Sequence, residues 1–289
     1  MLSVILAGAL ALAVPQQQVD TTIAVRPNGR LVVDTYSGPV IVRSWSRNDV
    51  RVQATHSRGA EVEVDYRGNT LSIDASPAQT GRDAIGITVS VPRSFAVSID
   101  GVDVNTTVDG IDAGVSVDIV NGSVTVRNVK GDVSVDAVSA RMIIENVRGD
   151  VNASGSNEGI HLSGITGDIN AETVNGPINI TGAVSSNVSA ETVNGSILLG
   201  TTIRDGGRYA ASTTNGSITV TLQEGANATI DVSTFSGSVN SRIPNLTADR
   251  RRGGSFTLRT GSGSAKIDLE AFSGTIELVR PGDVKTGSR

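Results

Sequence analysis

Asn121-Gly122-Ser123-Val124-Thr125-Val126-Arg127-Asn128-Val129 runs directly into Lys130-Gly131-Asp132-Val133-Ser134-Val135-Asp136-Ala137-Val138, and the two segments share one nine-residue pattern. The chain divides the same way, without a gap, at 139, 148, 157, 166, 175 and 184. The fourth, sixth and ninth places are mostly apolar, as in Val124, Val126 and Val129, then Val133, Val135 and Val138, then Met142, Ile144 and Val147. Ile160, Leu162 and Ile165 continue it, followed by Ile169, Ala171 and Val174 and by Ile178, Ile180 and Ala183. Places two apart lie on one face of a strand, and Gly at the second place marks a turn just before it. Each unit therefore holds one short strand and one corner, with the apolar places directed inward.

The units alternate in kind. One set opens Lys130-Gly131-Asp132, Arg148-Gly149-Asp150 and Thr166-Gly167-Asp168, the other Asn121-Gly122-Ser123, Ser139-Ala140-Arg141, Asn157-Glu158-Gly159 and Asn175-Gly176-Pro177. The structural period is thus eighteen, lengthening to nineteen where Ala171-Glu172-Thr173-Val174-Asn175-Gly176 returns as Ala190-Glu191-Thr192-Val193-Asn194-Gly195. A coil of 18–21 residues with two strands and two corners is a parallel β-solenoid. The fold class is all-β, with a flattened cross-section favoured and a three-sided one left open. About nine coils at ~4.8 Å each give a rod on the order of 40 Å long, sided by ladders of Asn, Ser, Thr and Asp.

Outward from the repeats the texture changes. Residues 16–100 carry irregularly spaced alternating runs, among them Leu31-Val32-Val33, Val40-Ile41-Val42, Val62-Glu63-Val64 and Leu71-Ser72-Ile73. They suggest half-buried antiparallel strands, a β-sandwich-like cap over the first coil of a solenoid spanning 101–280. Phe235, Phe256 and Phe272 are expected to plug the far end, and 281–289 to form a disordered tail. Residues 1–15, with an apolar run from Leu2 to Ala13 and small residues at Ala11 and Ala13, suggest an export signal without a basic start.

Composition narrows the function. Of 289 residues only eight are aromatic and 33 are Gly, so the core is built from Val, Ile, Leu and Ala in thin layers. A net charge of −5 without a long basic stripe argues against nucleic acid. Without Cys there is no disulfide, thiolate zinc site or cysteine nucleophile, and no later apolar run is long enough to span a bilayer.

Gly38-Pro39-Val40-Ile41-Val42-Arg43-Ser44-Trp45, Asp49-Val50-Arg51-Val52, Val89-Ser90-Val91-Pro92-Arg93 and the many Gly-Asp-Val and Asn-Gly-Ser-Ile corners together resemble the bacterial "putative adhesin" β-strand-repeat family, a domain of unknown function. The resemblance runs from Thr22 to Leu278. It implies an exported or envelope-associated, non-enzymatic β-solenoid and brings no catalytic residues with it. Where that family favours Gly-Asp corners, many here read Asn-Gly-Ser or Ser-Gly-Ser.

Several residues invite a sharper reading. Arg148-Gly149-Asp150 is an integrin-type tripeptide, yet Lys130-Gly131-Asp132 and Thr166-Gly167-Asp168 stand in the same register, so turn geometry alone accounts for it. Asp132, Asp150 and Asp168, eighteen apart, form a ladder that a polysaccharide-acting enzyme would use as acid and base, or that simply caps each turn. The Asp100, Asp103, Asp109, Asp112 and Asp118 stretch lacks the spacing of a calcium loop and suggests solvated carboxylates. His56, in a cap loop, and His161, on an outward strand position, are expected at the surface without a second metal ligand. Trp45 beside Arg43 and Arg47 is a candidate for stacking on a sugar, or else packs the cap. Arg250, Arg251 and Arg252, with Arg242 and Arg259, form a basic cluster suited to an anionic glycan or head group. No cofactor is expected. The function indicated is an adhesin-like binder of glycan or protein surfaces or a structural rod, with a polysaccharide-acting enzyme and an end-to-end scaffold as alternatives.

Overall fold

The computed structural model describes residues 17–56, 59–77, 84–243, 247–250 and 255–283. The expected export signal therefore lies outside the described residues, as does most of the expected tail. Alternating Val, Ile, Thr and Ser make every regular element a strand. In chain order these are β1 (Gln17–Ala24), β2 (Arg30–Trp45), β3 (Asp49–His56), β4 (Glu61–Arg67), β5 (Thr70–Ser76), β6 (Gly86–Pro92) and β7 (Ala96–Asp109). Next come β8 (Val115–Val129), β9 (Val133–Val147), β10 (Val151–Gly155), β11 (Ile160–Ser163), β12 (Ile169–Asn175), β13 (Ile178–Ala183), β14 (Asn187–Asn194) and β15 (Ile197–Thr201). The last are β16 (Arg208–Asn215), β17 (Ile218–Thr221), β18 (Ala228–Ser241), β19 (Thr247–Arg250), β20 (Ser255–Thr260) and β21 (Ala265–Val279).

Coils stack in parallel and in register. β8 lies on β9 with Val115 against Val133 and Val124 against Met142, an offset of one 18-residue coil. Each coil has two strands, and the two-sided cross-section is the one observed. In the longer elements the chain passes through the first corner without a break, so the two faces join there into one continuous sheet. Gly122 sits on that bend at φ +123°, where a Cβ would overlap the carbonyl oxygen of Val104 in the coil beside it. At the second corner Asn128 and Asn146 adopt φ near +57°, the left-handed region that Asn tolerates better than most side chains.

Between the faces lies a core of small aliphatics such as Val124, Val126, Val135, Ile144, Leu162 and Ile180, all buried. Two aromatics enter it as well, Phe95 and Tyr209. Buried Thr173, Thr192 and Thr213 donate to the carbonyls of Glu158, Gly176 and Gly195, so this inward Thr row staples the first corner to the neighbouring coil.

The solenoid starts earlier than residue 101. β2 pairs in parallel with β7 from Arg30–Ala96 to Arg43–Asp109, and on its other edge with β5 and then β6. The strands β2, β5 and β6, expected to form part of a β-sandwich-like cap, are thus two coils of the rod. The cap proper is antiparallel, with β4 on β5, β3 on β6 and β1 on β3. Alternation misleads here because a solenoid face is wet on one side, so its parallel strands carry the same pattern as half-buried antiparallel ones.

Coil order in space departs from chain order at both ends. β2 lies between the β5/β6 coil and β7, although it comes first in the chain. At the far end β21 inserts between the β16/β17 coil and β18. β20 and then β19 close the first half of β18 in antiparallel pairing, while among the described residues no strand pairs with the outer edge of Ser236–Ser241.

The bend residue gives a direct test of this packing. Replacing Gly122 by Val places a branched Cβ against the Val104 carbonyl at positive φ, and is expected to lower stability by more than about 2 kcal/mol, read as the denaturant midpoint.

Candidate functional site: an apolar ridge between two polar ladders

In-register stacking turns each sequence position into a row. One row on the first corner runs Tyr36, Val102, Val120, Val138, Ser156, Val174, Val193, Thr214, Phe272 and Phe235. Among the described residues the exposed large hydrophobics are Tyr36, Val120, Val138, Val174, Val193, Phe235 and Phe272, and every one belongs to this row. Its ten rungs at ~4.8 Å make a ridge about 43 Å long. Phe235 and Phe272 stack at one end, ring centroids 4.8 Å apart.

This corrects two expectations. Val138 and Val174 occupy the ninth place, which points inward in one kind of unit and outward in the other; Val138 is 48% exposed, whereas Val129 and Val147 are buried. The reason is the unequal corners. After Val135 the chain keeps strand alternation through Ala137, which is buried, so the next side chain must face solvent. Phe235 and Phe272 do not plug the end of the core, since Phe235 is 80% exposed.

A carboxylate row runs beside the ridge, two positions earlier in each strand. It comprises Asp74, Asp34, Asp100, Asp118 and Asp136, then Glu172 and Glu191, then Glu270, interrupted by Ser154 and Ser212. Among the described residues none of these carboxylates is in an ion pair. Burial, reinforced by the adjacent Asp34 and Asp118, raises the Asp100 carboxyl above its ordinary range.

On the ridge's other flank lies a ladder of amides. Asn175 donates to Asn157, Asn194 to Asn175 and Asn215 to Asn194, at 2.9–3.2 Å. One five-residue pattern generates all three rows: an acid, an inward residue, a ridge residue, Asn or Ser, and Gly or Ala. It is legible as Asp118-Ile119-Val120-Asn121-Gly122 and returns as Glu172-Thr173-Val174-Asn175-Gly176 and Glu270-Ala271-Phe272-Ser273-Gly274. That recurrence was the signal available in the sequence; the nine-residue cut divides the motif between two units and hides it.

The residues singled out from sequence fall elsewhere. Arg148, Gly149 and Asp150 form an ordinary second corner, with exposed Arg148 bridged through its backbone to Thr166. Oδ1 of Asp150 accepts the backbone N–H of Asp168 at 2.8 Å, and Oδ1 of Asp132 accepts that of Asp150 at 2.9 Å. Asp132 and Asp150 thus cap the turn of the next coil through its backbone, while Asp168 accepts from the Asn187 side-chain amide at 2.9 Å. The Asp-rich stretch is divided by register. Asp100 and Asp118 join the carboxylate row, while Asp103 and Asp109 accept from Asn121 and Asn128, and Asp112 from Lys130.

Trp45 is half-buried at the end of β2. Its Nε1 donates to the Asp49 carbonyl at 2.7 Å, and the Arg47 guanidinium lies 4.6 Å from the ring centroid while bonding Asp49. The ring is held in the β2–β3 turn with one face taken by Arg47. His56, expected at the surface, is buried at the end of β3, because its position continues the inward alternation of Val50, Val52 and Ala54. His161 is half-buried on the outer side of β11. Among the described residues no group of three or more His, Asp or Glu is placed to hold a metal ion. Arg251 and Arg252 lie outside the described residues. Arg250 is described only as backbone in β19, opposite Phe256.

Two substitutions separate these rows by their physics. Asp150→Ala removes the acceptor of the Asp168 N–H and is expected to lower stability by about 1 kcal/mol. Asp100→Asn should do the opposite at neutral pH. A carboxyl raised in the folded state opposes folding once ionised, so wild-type stability falls as pH rises through its folded-state pKa. The variant should therefore melt higher than wild type at pH 7 and equal to it below the carboxylate range, as thermal scans across pH would read.

No curated protein matches the chain in sequence. Among solved structures, a "putative adhesin" from Parabacteroides merdae is 11% identical and covers 91% of this chain and 97% of its own, with a TM-score of 0.44. A "putative adhesin" from Bacteroides fragilis is 13% identical over 91% and 97%, with a TM-score of 0.36. A "putative cell adhesion protein" from Clostridium sporogenes is 12% identical over 91% and 100%, with a TM-score of 0.26. The family description Toastrack DUF4097 matches residues 28–279, which takes in every parallel coil from β2 through β21, and the chain belongs to that family.

Proposed function

We propose that the protein is an exported, envelope-facing, non-enzymatic β-solenoid that works by surface contact, adhesin-like, along its first corner. The observation that carries this reading is the alignment of the exposed large hydrophobics, among the described residues, into one row. Exposed apolar side chains scattered singly are ordinary on a soluble protein, whereas a contiguous apolar surface of a few hundred Å² marks an interaction site. The row, about 43 Å long and one side chain wide, is apolar at eight of its ten rungs, with Ser156 and Thr214 between its apolar runs, and its summed area reaches that order. The apolar start at Leu2 to Ala13 supports export. No helix among the described residues is long and apolar enough to cross a membrane.

A contact line, unlike a cleft, asks for an elongated partner or a broad surface. It suits a protein or glycan layer, or a neighbouring rod, better than a small molecule. The ridge side chains leave the core packing untouched, so they can be changed without dismantling the rod.

The test uses the chain from Gln16 onward, applied to immobilised envelope glycans, envelope proteins and the chain itself, with each sample checked for degradation products. The triple variant Val120→Ser, Val138→Ser, Val174→Ser is expected to weaken association roughly tenfold or more, while Trp45→Ala and Arg148→Ala bind as wild type. Association indifferent to the ridge variant, or release of sugar fragments by the wild type, would sink the proposal.

A further inference from the structure

The ridge and its two flanks select what lies against them. From the residues on this corner we infer that the occupant is a second copy of the chain, paired ridge to ridge with both rods pointing the same way. The inference rests on reading the ridge as the contact line and deepens it by naming the partner.

Spacing is the first argument. Ten rungs repeat at ~4.8 Å, whereas successive turns of an α-helix repeat at ~5.4 Å, so a helix laid along the ridge drifts half a rung out of step after about four turns. A second stacked-β rod has the same rise and stays in step over its whole length.

Charge then fixes the orientation. The carboxylate row lies on one side of the ridge and the Asn and Ser row on the other. Turning a copy about a two-fold axis perpendicular to the rod sets carboxylate row against carboxylate row. A two-fold axis along the rod instead sets each carboxylate row against the partner's amides, rung for rung. Each rung then matches within itself, with Asp118 facing Asn121, Glu172 facing Asn175 and Glu191 facing Asn194. Asp136 and Glu270 meet Ser139 and Ser273 in the same way. The rung of Asp100 and Asp103 is the mismatch, two carboxylates in one place.

Donors for this arrangement exist. An Asn amide nitrogen carries two hydrogens. The ladder bonds of Asn175, Asn194 and Asn215 each use one, and the other is left to reach a carboxylate across the interface. The facing carboxylates have room to accept, since Asp118 and Glu191 bond no side chain among the described residues and Glu172 accepts a single bond, from Asn170. Area agrees as well. Three rows over ~43 Å by ~15 Å cover about 650 Å² per copy, or about 1,300 Å² in all, within the range of stable specific interfaces.

The absence of native Cys makes the pairing directly readable by disulfide cross-linking of the full chain. In the axial arrangement every ridge position meets itself, so Val120→Cys and Val174→Cys should each cross-link to themselves under mild oxidation. A mixture of Val120→Cys and Thr214→Cys should yield no mixed dimer, because those rungs lie far apart along the rod. Sedimentation should find a dimer for wild type and a dissociation constant raised roughly tenfold or more for Val138→Glu. A mixed Val120–Thr214 cross-link would overturn the orientation, since that pair meets only when the rods oppose. A wild-type chain that stays monomeric yet binds envelope material through the ridge would overturn the pairing and leave the contact-line reading intact. A monomer whose binding ignores the ridge would overturn both.

Discussion

Everything in this protein follows from one constraint, the in-register hydrogen bonding of each coil to the coils on either side. A backbone N–H or C=O inside the stack has a partner only if the neighbouring coil presents the complementary group at the same height. One coil cannot lengthen or slip without orphaning those groups, unless its extra residues are confined to a corner. The lengthened coils obey this. Val188 still lies on Ile169 and Asn194 on Asn175, and the added residue is absorbed in the second corner. Tyr209, where a longer coil needs filling, brings a large polar aromatic into the core, its hydroxyl donating to Ser185 and accepting from Arg204.

Register makes like residues neighbours, with opposite results for different chemistry. Stacked aliphatics give a continuous core, and stacked Asn give a hydrogen-bonded ladder in which Asn175 and Asn194 both donate and accept. Stacked carboxylates gain nothing from one another, and at Asp100 burial first, then the neighbouring Asp34 and Asp118, raises the carboxyl. Asp132 and Asp150 escape this by bonding the backbone of the next coil, and Asp168 by accepting from the Asn187 amide. Among the described residues the row beside the ridge bonds no backbone of a neighbouring coil through its side chains, and only Asp74 and Glu172 accept from side chains, those of Ser76 and Asn170. An acidic row without ion pairs among the described residues is thus set directly beside an apolar one, on the corner where the longer strands bend without breaking.

The repeat itself was plain from the residues. Val124, Val126 and Val129 and their successors every eighteen positions established the coil length, the parallel stacking and most of the core. Other features were hidden for identifiable reasons. Val138 looked equivalent to Val147 because a nine-residue unit treats the two corners as the same, whereas one corner turns the ninth side chain in and the other turns it out. Leu31 to Val42 looked like part of an antiparallel cap because polar-apolar alternation reports one wet face and is silent about strand direction. The carboxylate row was divided among segments as far apart in sequence as Asp34, Asp136 and Glu270, and only shared register joins them.

Local sequence by itself determined that this chain is all strand, that its coils hold about eighteen residues, and which side chains of the regular coils form the core, because those properties depend on a period a short window contains. The order of coils at the two ends, with β2 beneath β5 and β6 and β21 inserted ahead of β18, was decided only by tertiary structure. So was the gathering of Tyr36, the valines and Phe272 into one ridge. Both depend on which coil lies beside which, and that choice is made by the backbone hydrogen bonds and core surface that each end coil must cover, a competition between segments distant in the chain that no local pattern encodes.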